Sequence, residues 1–115
     1  MSITRIGCGP RMSKAVIHGN TVYLAGQVAE DPSQDITGQT TQILNTIDQL
    51  LASVGSDKTR LLMVQIFVAN MKEFDGMNKA WDAWVPAGSA PPRATIEARL
   101  ASADYKVEIV ATAAV

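Results

Sequence analysis

The sequence predicts an α+β domain in which a single mixed β-sheet carries two helices on one face. Three observations lead there. Segments of strand length flank two stretches with helical spacing of apolar residues, in the order strand, strand, helix, strand, helix, strand, strand. Leu61 to Val68 is a nearly unbroken apolar run of strand length, the pattern of a strand in a sheet interior, covered on both faces. Finally, 115 residues with 47% apolar side chains suffice for one core, and no repeat, low-complexity tract or linker divides them. Residues 1–115 are therefore expected to form a single domain.

The first structured segment is Ala15-Val-Ile-His-Gly-Asn-Thr-Val-Tyr-Leu-Ala25. It places β-branched and aromatic runs on either side of Gly19-Asn20, a pair that tolerates the positive φ of a tight hairpin turn. Glu30-Asp-Pro-Ser-Gln-Asp35 is polar and broken by proline, which suits a surface loop leading into a helix. From about Thr37, the apolar residues Ile43, Leu44, Ile47, Leu50, Leu51 and Val54 draw one helical stripe, and Gly55 reads as its C-terminal stop. Asn70 and Glu73 resemble a capping box opening a second helix, with Phe74, Met77, Trp81, Trp84 and Val85 along one side.

Gly88 and Pro91-Pro92 break the chain before Arg93-Ala-Thr-Ile-Glu-Ala-Arg-Leu100. The even positions of that segment are too apolar to face water unless they form the helix-covered side. Lys106-Val-Glu-Ile-Val-Ala-Thr112 alternates likewise, and Ala101 to Tyr105 is short enough to join the two segments as a hairpin. A two-layer domain of this kind leaves sheet edges and one sheet face uncovered, surface that an oligomer would bury.

Composition removes several function classes. Lys and Arg number 10 against 11 Asp and Glu, a net charge of −1, so no global positive field is available for phosphates and nucleic acid is not expected as a partner. The apolar runs fall far short of the roughly 20 residues that cross a bilayer, so no membrane span is expected. The start Met-Ser-Ile-Thr-Arg lacks the pattern of a secretory signal, and the single cysteine, Cys8, forms no internal disulfide; a cytoplasmic location is expected. His18 and Cys8 are the only residues of their kinds, which offers no metal-ligand cluster. His18, beside the predicted turn, reads as solvated, and Cys8 has no neighbouring base to activate it. No GxSxG, P-loop or GxGxxG sequence occurs. The stripe of Phe74, Trp81 and Trp84 reads as core packing rather than an aromatic platform.

Two residues stand out. Arg93 follows Pro91-Pro92 directly, and a guanidinium held stiffly at a strand start suits bidentate capture of a carboxylate. An exposed strand arginine is the plainer alternative. Glu108 lies between Val107 and Ile109 on an otherwise apolar strand, where a partly desolvated carboxylate suits acid–base work; solvated alternation is the plainer alternative there.

The pieces Tyr23-Leu-Ala-Gly-Gln27, Gln39-Thr-Thr-Gln-Ile-Leu-Asn45, Phe74-Asp-Gly-Met-Asn78, Pro92-Arg-Ala-Thr-Ile-Glu97 and Val107-Glu-Ile109 occur in an order and spacing that resembles the RidA/YjgF family over nearly the whole chain. Asn78-Lys-Ala-Trp-Asp-Ala-Trp-Val85 with Ala90-Pro-Pro-Arg-Ala-Thr95 is most similar to the YoaB-like branch. The resemblance implies a chorismate-mutase-like fold assembled as a homotrimer with ligand clefts between subunits. It implies hydrolysis of small enamine and imine carboxylates, such as 2-aminoacrylate or its imine, to a 2-keto acid and ammonia, without metal or organic cofactor. Carried onto this sequence, Arg93 would clamp the substrate carboxylate, Glu108 would position or activate water, and backbone groups near Gly26 would help hold the ligand.

Three site positions depart from the family: Met12 stands where the family has Tyr, Ala25 where it has Ser, and Thr95 where it has Cys. Arg11, beside the altered Tyr position, would bring a second positive charge to the cleft, with a solvated N-terminal arginine as the plainer alternative. These changes leave carboxylate binding better supported than the family's substrate. They favour, as a rival, a non-enzymatic trimer that binds 2-keto acids or related small carboxylates. The endoribonuclease and translation-inhibitor label of the family makes a third reading, opposed by the charge balance and the absence of a basic stripe or a histidine pair. With a hairpin at residues 101–105, Glu108 would lie across from about Ala98, roughly 16 Å along the ladder from Arg93, so a neighbouring subunit would have to complete the cleft.

Overall fold

The computed structural model describes residues 1–115, and its centre is the pair of long strands that bury one face under both helices. In chain order the elements are β1 (Ile3–Ile6), β2 (Ala15–His18), β3 (Thr21–Leu24), α1 (Ile36–Ser53), β4 (Leu61–Val68), α2 (Phe74–Trp84), β5 (Arg93–Glu97) and β6 (Val107–Ala114). They form one six-stranded sheet in the order β1-β2-β3-β6-β4-β5, with β4 and β5 parallel and every other neighbouring pair antiparallel.

The hairpin of β2 and β3 turns at Gly19-Asn20 with His18 opposite Thr21. Gly19 alone takes a positive φ, 62°, at the first central position, as a type II′ turn requires. β1 was not legible in the sequence: it is four residues long, almost wholly exposed, and pairs only with β2. α1 begins where Asp35 accepts a hydrogen bond from the Gly38 amide (2.8 Å). Its far end is a Schellman motif: Ser56 N–H donates to the Leu51 carbonyl (2.9 Å), Gly55 N–H to that of Ala52 (3.2 Å), and Gly55 has φ 77°. The expected stripe is there, with Ile43, Leu44, Ile47 and Leu51 fully buried, each contributing about 2 kcal/mol of apolar burial.

Ahead of α2, Asn70 caps a single 3-10 turn, Met71–Glu73, by accepting from the Lys72 amide (3.0 Å); the Glu73 amide donates to the Asn70 backbone carbonyl (3.0 Å) and its side chain makes no bond back, so the expected capping box does not form. Met77 and Trp81 are buried, and Val85 lies just past the helix end. Trp84 ties the helices together: its indole N–H donates to Asp48 of α1 (2.9 Å), and its carbonyl accepts from Lys58 (2.7 Å).

The expected hairpin between the last two strands does not form. β4 lies between them, pairing Val64 with Arg93 on one side and Phe67 with Glu108 on the other. β6 carries Val107, Ile109, Ala111 and Ala113 on one face, all buried, and such a strand gains most by pairing on both edges. β5 reaches the sheet through α2 as a parallel crossover, so it takes the outer edge and stops at Glu97, where its ladder partner β4 also ends at Val68.

β4 lies inside the sheet but is covered on one face only: Leu62, Met63 and Gln65 are exposed, because both helices pack on the other side. The facing of β5 also differs from expectation. Val64 and Ile66 point into the core, so their partners Arg93 and Thr95 face the helices, while Ala94 and Ile96 lie on the uncovered face with Gln65 and Phe67. The uncovered face thus presents Tyr23, Met63 and Ile96, each more than 40% exposed.

Gln39 of α1, fully buried, holds two loops to this frame. Its Nε2 donates to the carbonyls of Pro32 and Gln34 (3.0 Å each) and Asp104 (3.1 Å), and its Oε1 accepts from the Lys106 amide (2.9 Å), two residues before Glu108. Gln39→Leu strands these groups without partners and is expected to lower unfolding stability by about 3 kcal/mol, read from urea titration. A loss under 1 kcal/mol would contradict this role.

Candidate functional site

Arg93 opens β5 at the sheet edge, and the ladder bond from Val64 N–H to the Pro92 carbonyl (3.1 Å) fixes the chain just before it. Its side chain runs across the helix side of the sheet to α2. There Nη1 donates to Oδ1 of Asn78 (2.8 Å), and the guanidinium carbon lies 5.2 Å from the Trp81 ring centre and 5.9 Å from that of Phe74. Phe74, Asn78 and Trp81 are spaced i, i+4 and i+7, so one face of α2 supplies all three. The aromatic stripe is therefore core, as expected, and at its margin it also supports a cation. Asn78 figures in the sequence reading only as part of the family motif, with no place given to it at the site; the available signal was an amide set between two aromatics on an apolar helix face.

Thr95 is the next residue on the same face as Arg93, and its hydroxyl is buried with no hydrogen-bond partner in the chain. Glu108 lies on the opposite, uncovered face of β6, paired with Phe67. Beside it sits Gly26: a Cβ there would collide with the Glu108 carboxylate, whose Cδ would be 3.1 Å away. Reciprocal bonds between Gln27 and Ile109 (2.8 and 3.0 Å) hold the Gly26 loop against β6.

Met12, Ala25 and Gly26 line one cavity of about 430 Å³ with Lys14, Gln27 and part of α1. Arg11 is exposed and is not part of that lining; Lys14 is the cation there. A larger hollow of about 650 Å³ lies along residues 97–105 and contains neither Arg93 nor Glu108.

Within one chain, Arg93 and Glu108 do not meet. They point to opposite faces, with β4 between them, and their backbones are two strand spacings (about 10 Å) apart across the sheet and three residues (about 10 Å) apart along it. The separation expected from a hairpin ladder thus has a different origin, in facing and strand order. Two carboxyls in turns away from these residues are held below the ordinary range, Asp31 by the Ser33 hydroxyl and Asp57 by that of Thr59. No group of three or more His, Cys, Asp or Glu side chains is placed to hold a metal ion, and Cys8 is an exposed free thiol. No helix is long and apolar enough to cross a membrane.

The model of the family described as Endoribonuclease L-PSP matches residues 3–115. A RutC family protein of Haemophilus ducreyi is 50% identical over 113 residues, covering 98% of this chain and 97% of that one. RutC family protein YoaB of Escherichia coli is 48% identical over 115 residues, all of both chains. Among solved structures, an uncharacterized protein from Pseudomonas aeruginosa superposes with TM-score 0.95 at 47% identity, covering 98% of each chain. A member of the YjgF protein family from Neisseria meningitidis does so with TM-score 0.96 at 42% identity, covering 99% of this chain and 95% of that one.

The contact between Gly26 and Glu108 is testable by itself. Because the colliding atoms are the end of a flexible side chain, Gly26→Ala is expected to shift the Glu108 carboxylate at a cost of about 0.5–1 kcal/mol, and to cost less in a Glu108→Ala background. Additive losses in chemical denaturation of the single and double variants would rule the contact out.

Proposed function

This chain belongs to the RidA/YjgF family, that of the RutC and L-PSP proteins, and on that premise we propose that it hydrolyses small, reactive imine and enamine carboxylates to 2-keto acids and ammonia. The observation that carries the reading is the state of Arg93: a guanidinium anchored at its strand and on α2, with one of its five N–H donors engaged by a side chain. That leaves paired donors for a carboxylate, the geometry in which arginine binds anions most strongly.

The separation of Arg93 from Glu108 supports a cleft completed by a second copy, as in a homotrimer. The apolar residues on the uncovered face, Tyr23, Met63 and Ile96, fit such an assembly, since a monomer gains nothing by exposing them. In that cleft Arg93 of one subunit orients the substrate by its carboxylate, and Glu108 and Gly26 of a neighbour face the C=N carbon. Glu108 takes a proton from water as the oxygen adds to carbon, forming a carbinolamine. The protonated Glu108 carboxyl then returns that proton to nitrogen, and as the C–N bond breaks the carbinolamine hydroxyl gives up its proton to Glu108 or the departing amine, releasing ammonia and leaving the keto group. Protonated imines are electrophilic enough that orientation and one base suffice.

A second reading, carboxylate binding without turnover, draws on the same residues. Met12 and Ala25 bring no polar side-chain group to the Gly26 cavity, and the Thr95 hydroxyl is sealed from solvent. RNA cleavage is a weaker reading, since a net charge of −1 supplies no field for a phosphate backbone.

The deciding measurement is the lifetime of iminopyruvate and iminobutyrate generated by a serine/threonine dehydratase, with the imine trapped as semicarbazone. The wild-type protein is expected to shorten it. Arg93→Ala is expected to lose at least a hundredfold in rate along with 2-keto acid binding, whereas Glu108→Gln loses rate while binding stays within about threefold. Unchanged imine decay with retained keto-acid binding would establish the binder instead, and RNA cleavage surviving in Arg93→Ala would overturn both.

A further inference from the structure

We infer that Asn78 is a positioning residue: with the rings of Phe74 and Trp81 it forms a socket on α2 that presets the Arg93 guanidinium for an anionic ligand. The inference rests on the reading of Arg93 as the carboxylate clamp and explains how that clamp is made. Both ends of the side chain are held. The backbone end is fixed by the Pro91-Pro92 pair and the β4 ladder, and the far end by α2, itself anchored through buried Met77 and Trp81. The contacts divide the work. Trp81 at 5.2 Å and Phe74 at 5.9 Å lie within the range in which a ring face attracts a cation, and Asn78 takes one N–H at 2.8 Å, which sets the rotation of the guanidinium plane. An arginine left loose would surrender its rotamer freedom on binding, whereas one already seated gives up little.

The chemistry of the socket matters as much as its shape. Arg93 at a protein–water boundary would be satisfied equally well by an aspartate on α2, but that would neutralise it and compete with an incoming carboxylate. An amide oxygen and two ring quadrupoles orient the cation while leaving its whole charge for the ligand. A socket built this way favours small carboxylates that approach along the free guanidinium edge.

The test uses 2-oxobutyrate as the probe and compares wild type, Asn78→Ala, Asn78→Asp, Arg93→Lys, Arg93→Ala and the double variant Asn78→Ala/Arg93→Lys by titration calorimetry and thermal melting. Asn78→Ala is expected to weaken binding about tenfold, the scale of one hydrogen bond to a charged group. Asn78→Asp, the same size and able to fold with an added ion pair, is expected to weaken it about a hundredfold while the melting temperature is kept or raised. In the Arg93→Lys background, where the guanidinium plane is gone, Asn78→Ala is expected to change affinity less than twofold. A merely structural asparagine would cost the same in both backgrounds, and that result overturns the socket. So does wild-type affinity in Asn78→Asp alongside lost binding in Arg93→Ala. Wild-type affinity in Arg93→Ala would instead overturn the carboxylate reading itself, and the socket with it.

Discussion

The pairing of β4 with β6 is the constraint from which the rest of the molecule follows. Val64, Ile66 and Val68 of one strand and Val107, Ile109, Ala111 and Ala113 of the other make a continuous buried surface, and α1 and α2 close over it. With period-two alternation, every residue between those positions is committed to the other face. Glu108 therefore faces away from the helices because Val107 and Ile109 cannot. The same logic, carried one strand outward by the parallel ladder, turns Arg93 toward the helices because its partner Val64 is in the core. The two residues with the strongest chemical character are thus separated by the requirement that the core be dry.

α2 serves packing and chemistry with adjacent residues of one face. Met77 and Trp81 are buried and hold the helix in place, and the margin of that face supplies the groups that Arg93 touches. If Arg93 is the binding group proposed above, its rigidity is obtained in this way from the hydrophobic core instead of from a network of charges. Gln39 plays a comparable part on α1: a single buried amide, with donors and acceptor all used, fixes the loop that leads into β6 and so the backbone on which Glu108 stands.

The uncovered sheet face completes the picture. A single chain exposes Tyr23, Met63 and Ile96 there, on the face that also carries Glu108 with Gly26 beside it, while Arg93 lies on the other face. On the proposed reading of Arg93 and Glu108 as one site, the exposed apolar face and the divided site both favour association with further copies of the chain. Gly26 matters for a simple steric reason: any larger residue would occupy the space of the Glu108 carboxylate.

The sequence by itself determined what depends on neighbours along the chain. The spacing of Ile43, Leu44, Ile47 and Leu51 specified α1, Gly55 its end and Gly19-Asn20 the first hairpin. The apolar run of Leu61 to Val68 specified an interior strand, and the set of motifs around Arg93 and Glu108 carried the family. β1 stayed hidden because four exposed residues carry no usable periodicity. Only the tertiary structure decided which strand lies beside which. Residues 101–105 looked like a hairpin because they are few, but strand order is settled by which strands bury most surface at the sheet centre, a property of the whole core that no local window contains. That choice moved β5 to the edge and set Arg93 and Glu108 on opposite faces. It also brought Asn78, unremarkable in its own segment, to within 2.8 Å of the guanidinium it holds.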